Sequence, residues 1–411
     1  MRLPALQSVG FRRYVAGTFF SLQGLWIQRI VFGWLAWDLT HSAFWVGFLS
    51  FLLFAPTIVS GPLFGVLADR VDVRSAALVT QSLQAFLSLT AFILQFLGLT
   101  TIGSLCAICL AIGTVTSAHH PLRMTMAPRL VARDALTNAV AITSVNFNFA
   151  RLFGPAIGGV LIAWIGVTFA MGVTVVCFLP FLFVLTRMTL RPRDQAAGTA
   201  APFLQQLKEG VLVAWGNPII RLAMVITGVF AVVGRGTLEI LPAIADGAFE
   251  RGAAGLGQIA VAGGAGALVA SIVMATARPQ TPGRLPLISL VSVFAGFALC
   301  AALGATDIWI VALAAATGIG FCGSSVGVGL QSAVQLSLTD AHRGRVMSLW
   351  TVLGIGGAAV GAITLGALAD GIGYALALGV PALVGLSIVA GLLLGPGRGL
   401  SKAGNTEQHQ G

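Results

Sequence analysis

Gly65-Val66-Leu67-Ala68-Asp69-Arg70-Val71-Asp72-Val73-Arg74 lies between two long apolar runs, which begin near Ala43 and Ala76. A carboxylate and two arginines at the edge of hydrocarbon are costly to place. A short connection that carries them therefore predicts a contact with a task beyond anchoring. The rest of the chain supplies the hydrocarbon, being 57% hydrophobic and only 9% charged. Such a composition cannot cover itself with a hydrated surface, so the natural solvent of the chain is lipid.

A bilayer core about 30 Å thick takes about 20 apolar residues per helix. Hydropathy gives twelve spans, beginning near Tyr14, Ala43, Ala76, Ile102, Ala139, Val167, Ile219, Ala254, Leu285, Ile308, Val346 and Tyr374. The first run follows Arg12 and Arg13 but continues through Trp34 without a small-residue cleavage site, which makes it a span and not a secretory leader. All five cysteines, including the Cys106/Cys109 pair, fall inside apolar runs, so neither a disulfide nor a metal is expected.

The net charge of +10 would suggest nucleic acid in a soluble protein. Here its placement says otherwise. With twelve spans, the basic residues from Arg2, Arg12 and Arg13 through Arg70, Arg74, Arg187, Arg343 and Arg345 to Lys402 fall on one side, while the other side carries only Arg251. This is the positive-inside pattern, and it predicts both termini in the cytoplasm. The basic excess then reflects topology and contact with anionic membrane lipid, and nucleic acid is set aside as a partner.

The longest polar interruption, about Arg187 to Pro218, divides the spans six and six. The expected organisation is an N-terminal six-helix bundle over 1–187, a cytoplasmic linker over 188–217, a C-terminal six-helix bundle over 218–395 and a disordered tail over 396–411. Within the linker, Phe203, Leu204, Leu207 and Val211 recur at helical spacing. Two readings stand for this piece: an amphipathic helix on the membrane surface, or a disordered linker. The halves also resemble each other, since Gly154–Ala170 can be laid over Gly361–Ala377 with Gly154 on Gly361, Gly159 on Gly366 and Ile165-Gly166 on Ile372-Gly373. That displacement favours two packed bundles with a site between them.

Gly65, Asp69, Arg70 and Arg74 match the signature loop between spans two and three of the major facilitator superfamily. Leu25-Trp26-Ile27-Gln28-Arg29, Trp34-Leu35-Ala36-Trp37-Asp38-Leu39-Thr40, Ala150 to Gly159 (ARLFGPAIGG) and Arg343-Gly344-Arg345-Val346-Met347-Ser348 resemble its transmembrane secretion effector branch, which includes siderophore exporters and macrolide efflux pumps. Asp72 stands where that loop has a glycine, and Val73 where it has a basic residue. The resemblance implies an all-α polytopic membrane protein of twelve helices in two six-helix bundles. It also implies a gating role for Gly65, Asp69, Arg70, Arg74, Arg343 and Arg345. Gly154, Pro155, Gly158 and Gly159 are similar to the motif that marks exporters. Physically, the proline bends span five and the glycines admit a close neighbour. The alternatives are topology anchoring for Arg70 and Arg74, and generic small-residue packing for the glycines.

Ser144, Asn148, Arg151 and Pro155 share one face of span five, and a buried guanidinium there needs a partner or water. Ser21, Gly24 and Gln28 with Arg29 on span one, Arg235 and Glu239 on span seven, and Ser324, Gln331 and Gln335 on span ten are read with it as the lining of a polar central cavity. For each arginine, a structural ion pair is the competing reading. Glu239 is the best-placed proton carrier, but Arg235 one turn away would hold it as a static pair, and both readings stand. Asp38, Asp307 and Asp370 are placed near the outer face. His119 and His120 read as packing or interfacial residues, and Trp26, Trp34, Trp37 and Trp45 as interfacial anchors.

No nucleotide-binding P-loop is present in the sequence, so ATP-driven pumping by this chain has no support. The sequence predicts a monomeric, cofactor-free inner-membrane transporter, not an enzyme, that moves a small amphipathic or hydrophobic compound outward in exchange for protons. A facilitator or importer, or a membrane adaptor that transports nothing, are the competing readings.

Overall fold

The computed structural model describes residues 4–68, 71–191, 203–276 and 283–394. Asp69 and Arg70 of the signature loop, residues 192–202 of the linker and the tail from 395 onward lie outside the described residues. The chain is helical throughout the described residues. Its helices are α1 (Val9–Thr40), α2 (Ala43–Ala68), α3 (Val73–Phe96), α4 (Ile102–Met126), α5 (Leu136–Arg187), α6 (Phe203–Gly216), α7 (Pro218–Phe230), α8 (Gly236–Glu239), α9 (Gly252–Thr276), α10 (Leu287–Ala305), α11 (Trp309–Leu336) and α12 (Asp340–Leu394).

Two of these are double. At Gly166 the backbone of α5 turns to φ 80°, ψ 163°, and at Gly373 that of α12 turns to φ 79°, ψ 162°, a region open essentially to glycine alone. Contacts with α1 give the sense of the turn. Asn146 bonds to Thr18 and Gly154 abuts Trp26, so the first arm of α5 rises alongside α1. Gly24 abuts Cys177 and Gly17 abuts Phe181, so the second arm descends. Among the described residues, eight helices are long and apolar enough to cross a membrane. The reversals in α5 and α12 add two spans, and α1 and α2 bring the number to twelve.

The sequence pairing of the halves reappears in three dimensions. Gly166 and Gly373 carry the same backbone turn. Gly154 abuts Trp26 on span one, and its counterpart Gly361 abuts Val232 on span seven. Gly159 lies against Gly257 of α9, and its counterpart Gly366 lies against Ala43 of α2. The two halves are therefore joined along α5 with α9 and along α12 with α2, in equivalent ways. Large apolar side chains such as Trp164, Val145, Phe86, Leu287 and Ile310 are exposed around the rim, as a lipid-facing surface requires.

One expectation changes, that of the tryptophans, and the open readings of the linker and of the histidines are narrowed. The linker piece is a helix, α6, docked on α12 where Gly210 meets Arg345 and Leu349. Trp26, Trp34 and Trp37 are not interfacial anchors. Trp34 and Trp37 are buried, and Trp26 packs beneath Gly154 of α5, because span one faces other helices along its length. Trp45 is half-buried on α2. His119 is buried, shares a hydrogen bond with Thr80 and meets Phe181 edge-on. His120 is exposed.

Candidate functional site

Span seven is broken where the charges sit. After α7 the chain runs through a π-helical turn, Ala231–Arg235, then the single α-turn α8, then Pro242 and a second π-helical stretch, Ala243–Ala248. Such wide turns rotate side chains out of α-helical register and recur at functional positions. Arg235 and Glu239, one turn apart in sequence, accordingly diverge. The guanidinium of Arg235 lies over Gly327 of α11 and Gly354 of α12. Glu239 instead receives both its bonds from Arg29 of span one, with the Arg29 Nη2 atom 2.8 and 2.7 Å from its two oxygens. Arg29, from the other half, thus makes the ion pair that one of the two readings gave to Arg235, and Arg235 feels the charge of Glu239 only at longer range.

That pair is largely enclosed, with side chains 12% and 20% exposed. Arg29 is further fixed by the rings of Trp26 and Phe54, whose centroids lie 4.5 and 4.1 Å from its guanidinium carbon. Gln28 faces the other way. It is 2% exposed and donates to Ser88 of α3 at 2.6 Å, while Ser21 bonds Gln81 of the same helix. The polar stripe read on span one is therefore the interior of the N-terminal bundle, and Arg29 is the residue that faces the partner half.

On α5, Ser144, Asn148, Arg151, Pro155 and Gly159 form one stripe, and the contact of Gly159 with Gly257 shows that the stripe faces the C-terminal half. Arg151 lies close enough to Arg235 for the two charges to repel. Pro155 withholds the amide that would otherwise bond the carbonyl of Arg151. Asn148 is exposed and bonds the Ser144 carbonyl. Gly158 packs against Ile30 and Ile27, so the motif glycines alternate between span one and α9. Gln331 and Gln335 are half-buried and follow Gly327 on α11 at four-residue steps, which places them on the face beneath Arg235.

Where α1 ends, on the far side of the molecule from its start, two aspartates of the C-terminal half grip the N-terminal half. Asp370 accepts from the Ser42 hydroxyl and from the amides of Ala43 and Phe44 at 2.8 and 3.0 Å, capping α2. Asp246 accepts from Trp37 Nε1 at 2.8 Å and from the Gly252 amide at 2.9 Å. Between described residues, the hydrogen bonds joining the halves run from the Arg29 level to this far side. Sequence reasoning placed Asp370 near the outer face and gave it no role. A signal was present: Gly366-Ala367-Leu368-Ala369-Asp370 repeats the G-x-L-A-D of Gly65-Val66-Leu67-Ala68-Asp69.

The remaining gating candidates sit on the opposite side. Gly65 lies near the end of α2. Arg74 donates to the Leu185 and Thr186 carbonyls at 2.9 and 2.6 Å, so it clamps α3 to the end of α5 within one half. Asp72 caps α3 by accepting from the Ser75 amide at 2.8 Å, which explains an aspartate where the signature loop has glycine. Arg345 pairs with Glu209 of α6, and Arg343 is exposed. An apolar groove of about 540 Å³ between α10 and α11, lined by Leu287, Val291, Leu299 and Phe321, contains none of the charged residues.

Comparison with known proteins agrees with this architecture. The enterobactin exporter EntS of Escherichia coli O1:K1 / APEC is 25% identical over 367 residues, which is 89% of this chain and 85% of that protein. The nucleoside transporter NupG superposes with a TM-score of 0.72 at 11% identity, over 94% of this chain and 98% of that one. A bacterial homolog of the human lysosomal transporter Spinster, in its inward-facing and unoccupied conformation, gives 0.70 at 13% identity, over 96% and 95%. At such identities the structural likenesses speak for the fold. The sequence profile of the transmembrane secretion effectors matches residues 3–401, and the chain belongs to that family, a branch of the major facilitator superfamily of membrane transporters.

Proposed function

We propose that this protein is a secondary exporter, carrying a small amphipathic organic compound outward across the inner membrane by alternating access in exchange for protons. The observation that carries the reading is the Arg29–Glu239 pair, an ion pair at mid-span whose two members belong to different halves. Rocking one half against the other must break or remake it. Protonating Glu239 removes its attraction to Arg29, so proton binding and domain motion act on the same bond. The basic asymmetry of the loops supports a cytoplasmic position for the side on which α1 begins. The enterobactin exporters among the relatives support outward movement.

Gating follows from two copies of one motif. Asp370 caps α2 on the far side, a contact suited to holding the cytoplasm-open state. By sequence, Asp69 ends the matching G-x-L-A-D on α2, and it is assigned the reciprocal cap on the start of α12 in the outward-open state. Closing one latch as the other opens gives alternating access.

The test is accumulation of labelled amphipathic compounds in inverted vesicles. Accumulation that requires an imposed proton gradient and vanishes with a protonophore is the expected result. Accumulation indifferent to the gradient would remove proton exchange, and export from the vesicle lumen would reverse the direction.

A further inference from the structure

Arg151 and Arg235 carry positive charges that the protein answers poorly: Arg235 is drawn only at longer range toward Glu239, and Arg151 has Arg235 as its charged neighbour. Among the described residues, neither guanidinium makes an ion pair or a hydrogen bond, and Glu239 is the one carboxylate at this level of the spans. Arg29 already holds both oxygens of Glu239. Three guanidinium groups therefore share one carboxylate in the middle of a membrane protein. Unpaired charge in that environment is expensive and persists where a ligand or ion supplies the counter-charge.

The placement of the two arginines sharpens this. Arg151 belongs to the N-terminal half, on the α5 stripe that faces α9, and Arg235 belongs to the C-terminal half, at the end of a π-helical turn. They are near enough to repel. That repulsion acts to push the halves apart. An anion between them converts it into attraction from both sides, so the same charge that binds also draws the halves together. Trp26 and Phe54, which flank Arg29, offer aromatic surface at the same level.

We infer that the transported compounds are amphipathic organic anions, whose acidic group is received jointly by Arg151 and Arg235 while the apolar body lies toward Trp26 and Phe54. This rests on the exporter reading above and narrows its substrate class. A forked, permanently charged guanidinium on each half suits a carboxylate or sulfonate, and both charges disfavour a cation.

The experiment uses two probes that share one ring system and cannot cross lipid unaided: 1-pyrenesulfonate and a pyrenylalkyl trimethylammonium. Binding to the purified full-length protein is followed by fluorescence, and movement is followed in proteoliposomes. The wild type should bind the anion about tenfold or more tightly than the cation. Arg151→Gln and Arg235→Gln should each erase most of that preference, and Arg151→Lys and Arg235→Lys should retain it, which separates lost charge from lost folding. No preference for the anion in the wild type, including no binding of either probe, overturns the inference. So does a preference that survives in well-folded Gln variants. Outward movement of the cation at the rate of the anion leaves the exporter standing and removes the anion site. Tight anion binding without movement leaves the site standing and removes the exporter.

Discussion

Single charged residues at mid-span carry the proposed function, and their partners were only partly legible in the sequence. A separation of four residues left two readings for Glu239, a proton carrier or a static pair with Arg235, since that spacing brings side chains together on a regular α-helix. The π-helical turn at Ala231–Arg235 breaks the register, and Arg29 from the other half takes the carboxylate instead. Nothing in the local sequence announces such a turn. Replacing Glu239 with Gln should abolish substrate-driven proton movement in proteoliposomes; coupling of wild-type size in that variant would take the proton role from Glu239. Asp72 allows a prediction outside the membrane. The Ser75 amide above all, then the Ser75 side chain, with Arg129 and Arg74 adding their charge, hold its carboxyl below the usual range. A depressed carboxylate stabilises the folded state above its unfolded pKa, and that benefit is lost as pH falls through its folded value. Asp72→Ala should cost about 1 kcal/mol at neutral pH. The difference in melting temperature from wild type should shrink as pH falls below about 4.

At the scale of helices, hydropathy located the spans well because lipid imposes length and polarity on every one of them. It did not distinguish a side chain facing lipid from one facing another helix. The stripe Ser21, Gly24 and Gln28 was therefore assigned to the cavity, whereas Gln28 is sealed against Ser88, and the tryptophans of span one were assigned to the interface with water. Glycine spacing was more informative. The equivalence of Gly166 with Gly373 was readable as a repeat, and it appears as two identical chain reversals. Gly159 makes the sharpest packing prediction. A Cβ there would meet the Cα of Gly257 at 2.6 Å and its nitrogen at 2.9 Å, backbone atoms that cannot swing aside. Gly159→Val should cost about 1–3 kcal/mol at the α5–α9 contact. In vesicles it should slow transport several-fold, while Gly379→Ala, where nothing lies within 4 Å, should not. Equal rates in the two variants would deny this contact a part in the transport cycle.

Across the whole molecule, two equivalent six-helix halves meet along α5 with α9 and α12 with α2, with charge concentrated between them and aspartate caps closing the far side. The repeated G-x-L-A-D marks how much of the proposed gating is written in the chain: one copy was read from the signature loop, and the other, ending in Asp370, became visible only when its cap on α2 was seen. A rocking mechanism demands that the two ends move in opposite senses. Spin-label distances in lipid report this, with one pair at Leu99 and Ile308 on the far side and one at Ala132 and Thr339 on the side where α1 begins, all four exposed. Asp370→Ala removes the far-side cap, worth about 1 kcal/mol or about fivefold in population. The expected result is a gain of the long distance between Leu99 and Ile308 matched by a gain of the short distance between Ala132 and Thr339. Distances that stay fixed at both ends, or that lengthen together, would contradict alternating access in this protein.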